Sequence, residues 1–116
     1  MNFRFERLEV WQRAIEFANA MFDIADALPQ RYQFSLGEQL RKASLSIPTN
    51  IAEGSGRDSP KGASYFYSIS KGSVYECVSL MVMIDKRGHL DQETYQRHAT
   101  EANEIAAMIS GLIRVQ

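Results

Sequence analysis

Apolar residues recur at spacings of three and four along almost the whole chain. No stretch alternates apolar and polar residues long enough to predict a strand, whereas a period near 3.6 residues is typical of amphipathic helices. The 116 residues, 45% of them apolar, can bury a core without a disulfide or a metal. The sequence therefore predicts an all-α fold in a single domain spanning residues 1–116.

Proline and capping residues mark the limits of the first two helices. Helix 1 is predicted over residues 8–28, because Pro29 cannot continue the hydrogen-bond ladder. Ser35 and Glu38 have the spacing of a capping box, which predicts the start of helix 2. Pro48 lies inside helix 2 and removes one backbone donor, so we expect it to kink the helix without ending it.

Similar signals delimit the last two helices. Ser59 and Pro60 are a typical cap and first-turn pair, and Gly88 suits the left-handed end of helix 3. Asp91 is the predicted cap of helix 4. Four helices with short connections favour an antiparallel bundle with up-down-up-down topology.

Helix 1 carries two apolar stripes about 100° apart around its axis. A helix of a monomeric bundle buries one such stripe, so the second predicts a subunit interface. The candidate interface residues on this helix are Leu8, Trp11, Phe17 and Phe22. In the alternative, the N-terminal arm with Phe3 and Phe5 folds over the second stripe.

The segment Ser46-Ile-Pro-Thr-Asn-Ile-Ala-Glu-Gly-Ser-Gly-Arg57 resembles the four-helix-bundle proteins encoded in intervening sequences of bacterial 23S rRNA genes. Further similarity lies at residues 8–14, 28–29, 39–43, 71–76 and 111–113. The chain departs from the family pattern at Tyr32, where relatives usually have a glutamate, so any ion pair of that glutamate must be replaced here.

This resemblance implies a ring-shaped homo-oligomer, typically a pentamer. A related accessory protein of diversity-generating retroelements is a basic pentamer that works with a reverse transcriptase and nucleic acid. The present chain has a net charge of −1. Its role therefore cannot be copied directly from that basic relative.

The central segment also predicts a polar contact between helices 2 and 3. Asn50 lies near the apolar stripe of helix 2, so its amide is expected to be hydrogen-bonded inside the bundle. We expect a packing and turn device here rather than an active site. Its predicted members are Ser46, Pro48, Asn50, Glu53, Gly54 and Ser73.

The chain lacks the residue patterns of common enzymes. Glu53 and Glu76 are not followed by histidine at the ferritin-like spacing, and Cys77 lies on a buried stripe without an adjacent base. No glycine-rich phosphate loop is present. We therefore expect no catalytic residues, no metal and no cofactor.

Local charge nevertheless favours a nucleic-acid partner, RNA or DNA. Residues 31–73 hold six basic and three acidic side chains, whereas residues 75–116 hold four and six. The candidate phosphate contacts in the positive middle are Arg41, Lys42, Arg57 and Lys61. In the alternative, these charges only solvate the surface of a protein-interaction scaffold.

One cysteine, no secretory signal and no apolar run near the ~20 residues that span a bilayer indicate a cytoplasmic protein without a membrane partner.

Overall fold

The computed structural model describes residues 2–116 and contains four α-helices and no strand within that range. The helices are α1 (Glu9–Asp26), α2 (Glu38–Ser55), α3 (Pro60–Lys86) and α4 (Gln92–Arg114). A short 3-10 helix at Arg4–Arg7 precedes α1. The all-α prediction is confirmed.

The connection between α1 and α2 is wound differently from the prediction. A 3-10 turn at Gln30–Tyr32 and a π-helical turn at Gln33–Gly37 lead directly into α2. The Ser35 hydroxyl donates to the Tyr32 carbonyl at 3.4 Å, so Ser35 does not cap the helix and the predicted capping box is wrong.

The Gln33 side chain fastens this connection to the end of α1. Its amide nitrogen donates to the carbonyl oxygens of Ala25 and Leu28 at 2.9 and 2.8 Å. The last carbonyls of a helix have no partner within the helix. Gln33 therefore adds a second donor to the Ala25 carbonyl, which also accepts from the Leu28 amide at 3.1 Å, and it supplies a donor to the Leu28 carbonyl just beyond α1.

The caps of α3 and α4 lie where the sequence places them. Ser59 Oγ accepts from the Gly62 amide at 3.0 Å, and Asp91 Oδ1 accepts from the Thr94 amide at 2.8 Å. Gly88 has a φ of 82°, a conformation that favours glycine, and follows the last turn of α3.

All four helices contribute to one apolar core. Consecutive helices pack against each other, and α1 also contacts α4. The largest fully buried apolar side chains are Phe17, Met21, Leu40, Ile47, Ile51, Met81, Ile84, Ile105 and Ile109. None of the helices in residues 2–116 combines the length and hydropathy needed to cross a bilayer.

Phe17 belongs to this core and not to a surface stripe. Its side chain is 0% exposed and its ring lies 6.5 Å from the His98 ring on α4, edge to face. The prediction that Phe17 contributes to a subunit interface is therefore wrong, since a partner cannot reach it without unfolding the chain.

Pro48 lies within α2, which continues for seven residues beyond it to Ser55. Its ring is buried. Pro48 removes one backbone hydrogen-bond donor from α2, but its ring is packed in apolar surroundings. The proline therefore does not end the helix.

Candidate nucleic-acid interface

A chain of hydrogen bonds joins α2 to α3 at the centre of the 46–57 segment. Asn50 Nδ2 donates to the carbonyl and the hydroxyl oxygen of Ser46 at 2.8 and 2.9 Å. Ser73 Oγ lies 2.8 Å from Ser46 Oγ and so completes the link to α3. Asn50 is half-buried rather than enclosed, and it lies at the edge of the interhelical contact.

Ser70 makes a second polar link between these helices. Its fully buried hydroxyl donates to the Ile47 carbonyl at 2.8 Å, one residue before Pro48. The predicted polar contact between helices 2 and 3 did not include Ser70. A serine on a buried stripe was the available signal, because a buried hydroxyl needs a hydrogen bond.

Gly54 allows α2 to lie close against α3. A Cβ at this position would lie 2.5 Å from Tyr67 Cε1 and 3.1 Å from the Ala63 carbonyl oxygen. Burial raises the pKa of the Tyr67 phenol. The glycine therefore makes room for a buried tyrosine on the neighbouring helix.

Glu53 is not part of the polar network, which corrects the sequence prediction. Its exposed carboxylate binds Arg57 Nη2 at 2.8 Å, one turn further along the chain. The Arg57 guanidinium also lies 4.3 Å from the centre of the Phe66 ring. The local i,i+4 partner is within reach on the same helical face, so Glu53 points to solvent and not across to α3.

Two more of the predicted phosphate contacts are paired within the chain. Arg41 holds Asp26 with nitrogen–oxygen distances of 2.8 and 3.1 Å, and Lys42 Nζ lies 3.3 Å from Glu38. Lys61 is exposed and has no carboxylate oxygen within 4.0 Å among residues 2–116. The structure thus leaves Lys61 open and gives Arg41, Lys42 and Arg57 carboxylate partners.

An open groove of about 640 Å³ runs between α1 and α2. We call it the α1–α2 groove. Its apolar lining consists of Phe5, Trp11, Ile15, Leu45, Pro48 and Ala52, and its polar end of Thr49, Glu53, Gly56 and Arg57.

The N-terminal arm covers one end of this groove. The Phe5 ring meets the Trp11 ring edge to face at 5.1 Å, and Arg4 Nη2 donates to the Ser55 carbonyl at 2.6 Å. The arm leaves Leu45 on the opposite wall 55% exposed. The arm therefore covers part of the second stripe, as the alternative interpretation predicts, whereas the subunit interface stays a prediction.

The remaining interface candidates are half-buried. Leu8 and Trp11 pack against the core from the side, and Phe22 lies further along α1. These three side chains keep part of their apolar surface open, in contrast to Phe17.

The single cysteine, Cys77, is not placed to act as a nucleophile. Cys77 is fully buried on α3, and burial raises the pKa of its thiol to about 12. A thiol with this pKa holds little of the reactive thiolate at neutral pH. Within residues 2–116 no three His, Cys, Asp or Glu side chains converge as a metal site would require.

These features define a small helical-bundle protein. Its buried polar groups link α2 to α3, and an apolar groove beside charged side chains lies open on its surface. A family model described as 23S rRNA-intervening sequence protein matches residues 6–111. The chain belongs to this family. A search of curated proteins finds no significant match.

Proposed function

We propose that the protein is a non-enzymatic homo-oligomer, a ring of the pentameric type, that associates with nucleic acid in the cytoplasm. The family name points to an rRNA context. The observation that carries the oligomer is the α1–α2 groove, an apolar surface left half-exposed by the folded chain. A second copy of the chain would remove this surface from water.

The proposal takes the bundle as up-down-up-down, with α2 kinked at Pro48. Contacts of Ser46 with Ser73 and of Gly54 with Tyr67 support opposite directions of α2 and α3. On the other side of the bundle, Arg13 binds Glu104 while Phe17 contacts His98, which supports opposite directions of α1 and α4.

Ring formation supports nucleic-acid binding by a weakly charged chain. Residues 31–73 carry a formal excess of three positive charges, which is too few for a single copy to bind well at physiological salt. A ring repeats the same surface around its axis, and linked weak contacts gain avidity. Lys61 is open to phosphate, whereas Arg41, Lys42 and Arg57 exchange a carboxylate for phosphate on binding.

Gel shifts at rising salt test this function. The intact oligomer is incubated with structured RNA, single-stranded RNA and duplex DNA at about 50 mM salt and above. We expect retention of RNA or DNA that weakens steeply as salt rises. Retention of none of the three would contradict the nucleic-acid function.

The alternative function is a protein-interaction scaffold without direct nucleic-acid binding. It is favoured by one observation, the carboxylate partners of Arg41, Lys42 and Arg57. A scaffold of this kind shows no salt-dependent retention on any nucleic acid, so the same gel shifts separate the two functions.

A further inference from the structure

Two arginines from different parts of the chain converge on one phenol at the end of the bundle. Arg87, which follows α3, donates from Nε and Nη2 to the Tyr32 hydroxyl oxygen at 2.9 and 2.7 Å. Arg31 lies beside the same ring, with its Cζ 4.8 Å from the ring centre. The His89 ring meets Tyr32 edge to face at 5.5 Å. We call these four residues the Tyr32 cluster.

The Tyr32 cluster carries positive charge that no carboxylate balances. Neither Arg31 nor Arg87 has a carboxylate oxygen within 4.0 Å among residues 2–116. The hydrogen bonds from Arg87, together with the nearby Arg31, lower the pKa of the Tyr32 phenol. A neutral phenol thus lies beside two guanidinium groups, which would bind an anion more strongly.

Two acidic side chains close to Arg87 in the sequence make hydrogen bonds to other residues. Asp85 accepts from Gln92 Nε2 at 2.8 Å, and Asp91 is held by the amide and hydroxyl of Thr94. By contrast, the arginines at positions 41 and 57 each bind a carboxylate. Two arginines without a carboxylate partner therefore lie on one phenol at this end of the bundle, whereas Lys61 alone among the four predicted phosphate contacts lacks one.

The donors of the Tyr32 cluster match a phosphate group. Arg87 already presents its Nε–H and Nη2–H groups to one oxygen, and the same two groups can bind two oxygens of a phosphate in parallel. The phenol accepts both bonds, and its own proton has no acceptor among residues 2–116. A phosphate oxygen placed against the cluster can receive this proton as a hydrogen bond while the guanidinium groups of Arg31 and Arg87 neutralise its charge.

We infer that the Tyr32 cluster binds backbone phosphate of RNA, and that it, more than Arg41, Lys42 or Arg57, supplies the phosphate contact of each subunit. This inference rests on the proposed nucleic-acid function and assigns it to a different surface. A contact made at every subunit is repeated around the ring. The cluster then becomes the principal source of the salt dependence of RNA binding.

Binding of a fluorescein-labelled single-stranded RNA oligonucleotide to the intact protein tests the inference. The variants are Arg87→Gln, Arg31→Gln and Tyr32→Glu, and the matched control is Arg7→Gln, which removes an exposed arginine from the 3-10 helix before α1. Tyr32→Glu leaves both arginines in place and supplies the missing carboxylate. Circular dichroism and size-exclusion chromatography show that each variant keeps its fold and its oligomeric state.

One phosphate contact to single-stranded nucleic acid steepens the fall of log affinity with log salt concentration by about 0.7. At about 50 mM salt this contact increases the affinity roughly eightfold relative to about 1 M salt, where the contribution vanishes. We expect each of the three cluster variants to lose at least about this factor per subunit and to show a shallower salt slope. We expect Arg7→Gln to bind with less than about twofold change.

Cluster variants that bind RNA as tightly as Arg7→Gln, with an unchanged salt slope, would overturn the inference and leave the proposed function standing. Absence of RNA binding by the unmodified protein would overturn the inference, and absence of binding to duplex DNA as well would overturn the proposed function. Loss of binding in Arg31→Gln and Arg87→Gln but not in Tyr32→Glu would also overturn the inference, because a carboxylate between the arginines must exclude phosphate.

Discussion

At the scale of single residues, the contact between α2 and α3 depends on small side chains and hydroxyl groups. Gly54 lets the ring of Tyr67 lie against the α2 backbone, and Ser46, Asn50 and Ser73 form a continuous hydrogen-bonded link. A larger or apolar group at these positions alters either the packing or the hydrogen bonding. Each effect is measurable as a change in the free energy of unfolding.

Substitution of Gly54 by alanine is expected to destabilise the fold. The added Cβ would meet the Tyr67 ring at 2.5 Å, and overpacking of this kind costs roughly 1–3 kcal/mol. Gly72→Ala is the matched control, because a Cβ there meets nothing within 4 Å. Replacing this glycine inside a helix should raise the free energy of unfolding by about 0.5–1 kcal/mol. Urea denaturation measures both. A Gly54→Ala variant as stable as Gly72→Ala would contradict the close approach.

Substitution of Asn50 by leucine is expected to lower the free energy of unfolding by about 1 kcal/mol. This is the lower end of the range for a buried polar group left without a hydrogen bond. The half-buried amide leaves the Ser46 hydroxyl with Ser73 as its remaining partner. Asn103→Leu, the same change at an exposed position of α4, controls for the added apolar surface. An Asn50→Leu melting temperature equal to that of Asn103→Leu would show that the amide contributes nothing to the fold.

At the scale of helices, local signals predicted the ends of α3 and α4, whereas contacts distant in sequence decided the rest. The caps Ser59 and Asp91 bond to amides three residues away, so their chemistry is readable in the sequence. Ser35 has an equally good capping pattern but is overridden, because Gln33 ties the connection to the end of α1. Helical winding therefore begins before the predicted cap.

The same distinction explains which site predictions failed. The two stripes of α1 are similar in apolar content, so the sequence does not tell which one faces the core, and Phe17 was assigned to the wrong side. Glu53 was predicted to join the polar network, but Arg57, four residues along the chain, binds its carboxylate. The Tyr32 cluster joins residues 55 positions apart in the chain, a proximity that spacing does not show.

The cap of α4 predicts a pH dependence of stability. Hydrogen bonds from the Thr94 amide and hydroxyl lower the pKa of the Asp91 carboxyl. The stabilisation is therefore fully present above the ordinary aspartate pKa of about 3.9 and is lost as pH falls through the lower pKa of the folded state. Asp91→Asn keeps a capping side chain that does not titrate.

At about pH 6 we expect the unmodified protein to melt at a higher temperature than Asp91→Asn. At about pH 2.5 we expect this difference to be smaller. Thermal melts of both proteins across this range measure the difference. A difference that stays constant with pH would show that ionisation of Asp91 does not contribute to the cap.

At the scale of the whole molecule, the α1–α2 groove is the surface expected to join subunits. Leu45→Glu places a charge in this groove, and Phe22→Glu places one on half-buried apolar surface further along α1, so both should shift the assembly toward monomer. Val115→Glu, at a position 77% exposed near the end of α4, is the matched control and should leave the mass unchanged. Sedimentation velocity compares the three. Equal sedimentation of all three proteins would place the interface elsewhere.

The molar mass of the unmodified protein in solution tests the central claim most directly. Each chain has a mass of 13.2 kDa. Multi-angle light scattering at tens of micromolar protein should give a single species of several times that mass, five times for a pentameric ring. A mass of one chain at that concentration would contradict the ring, and with it the avidity on which the proposed nucleic-acid binding depends.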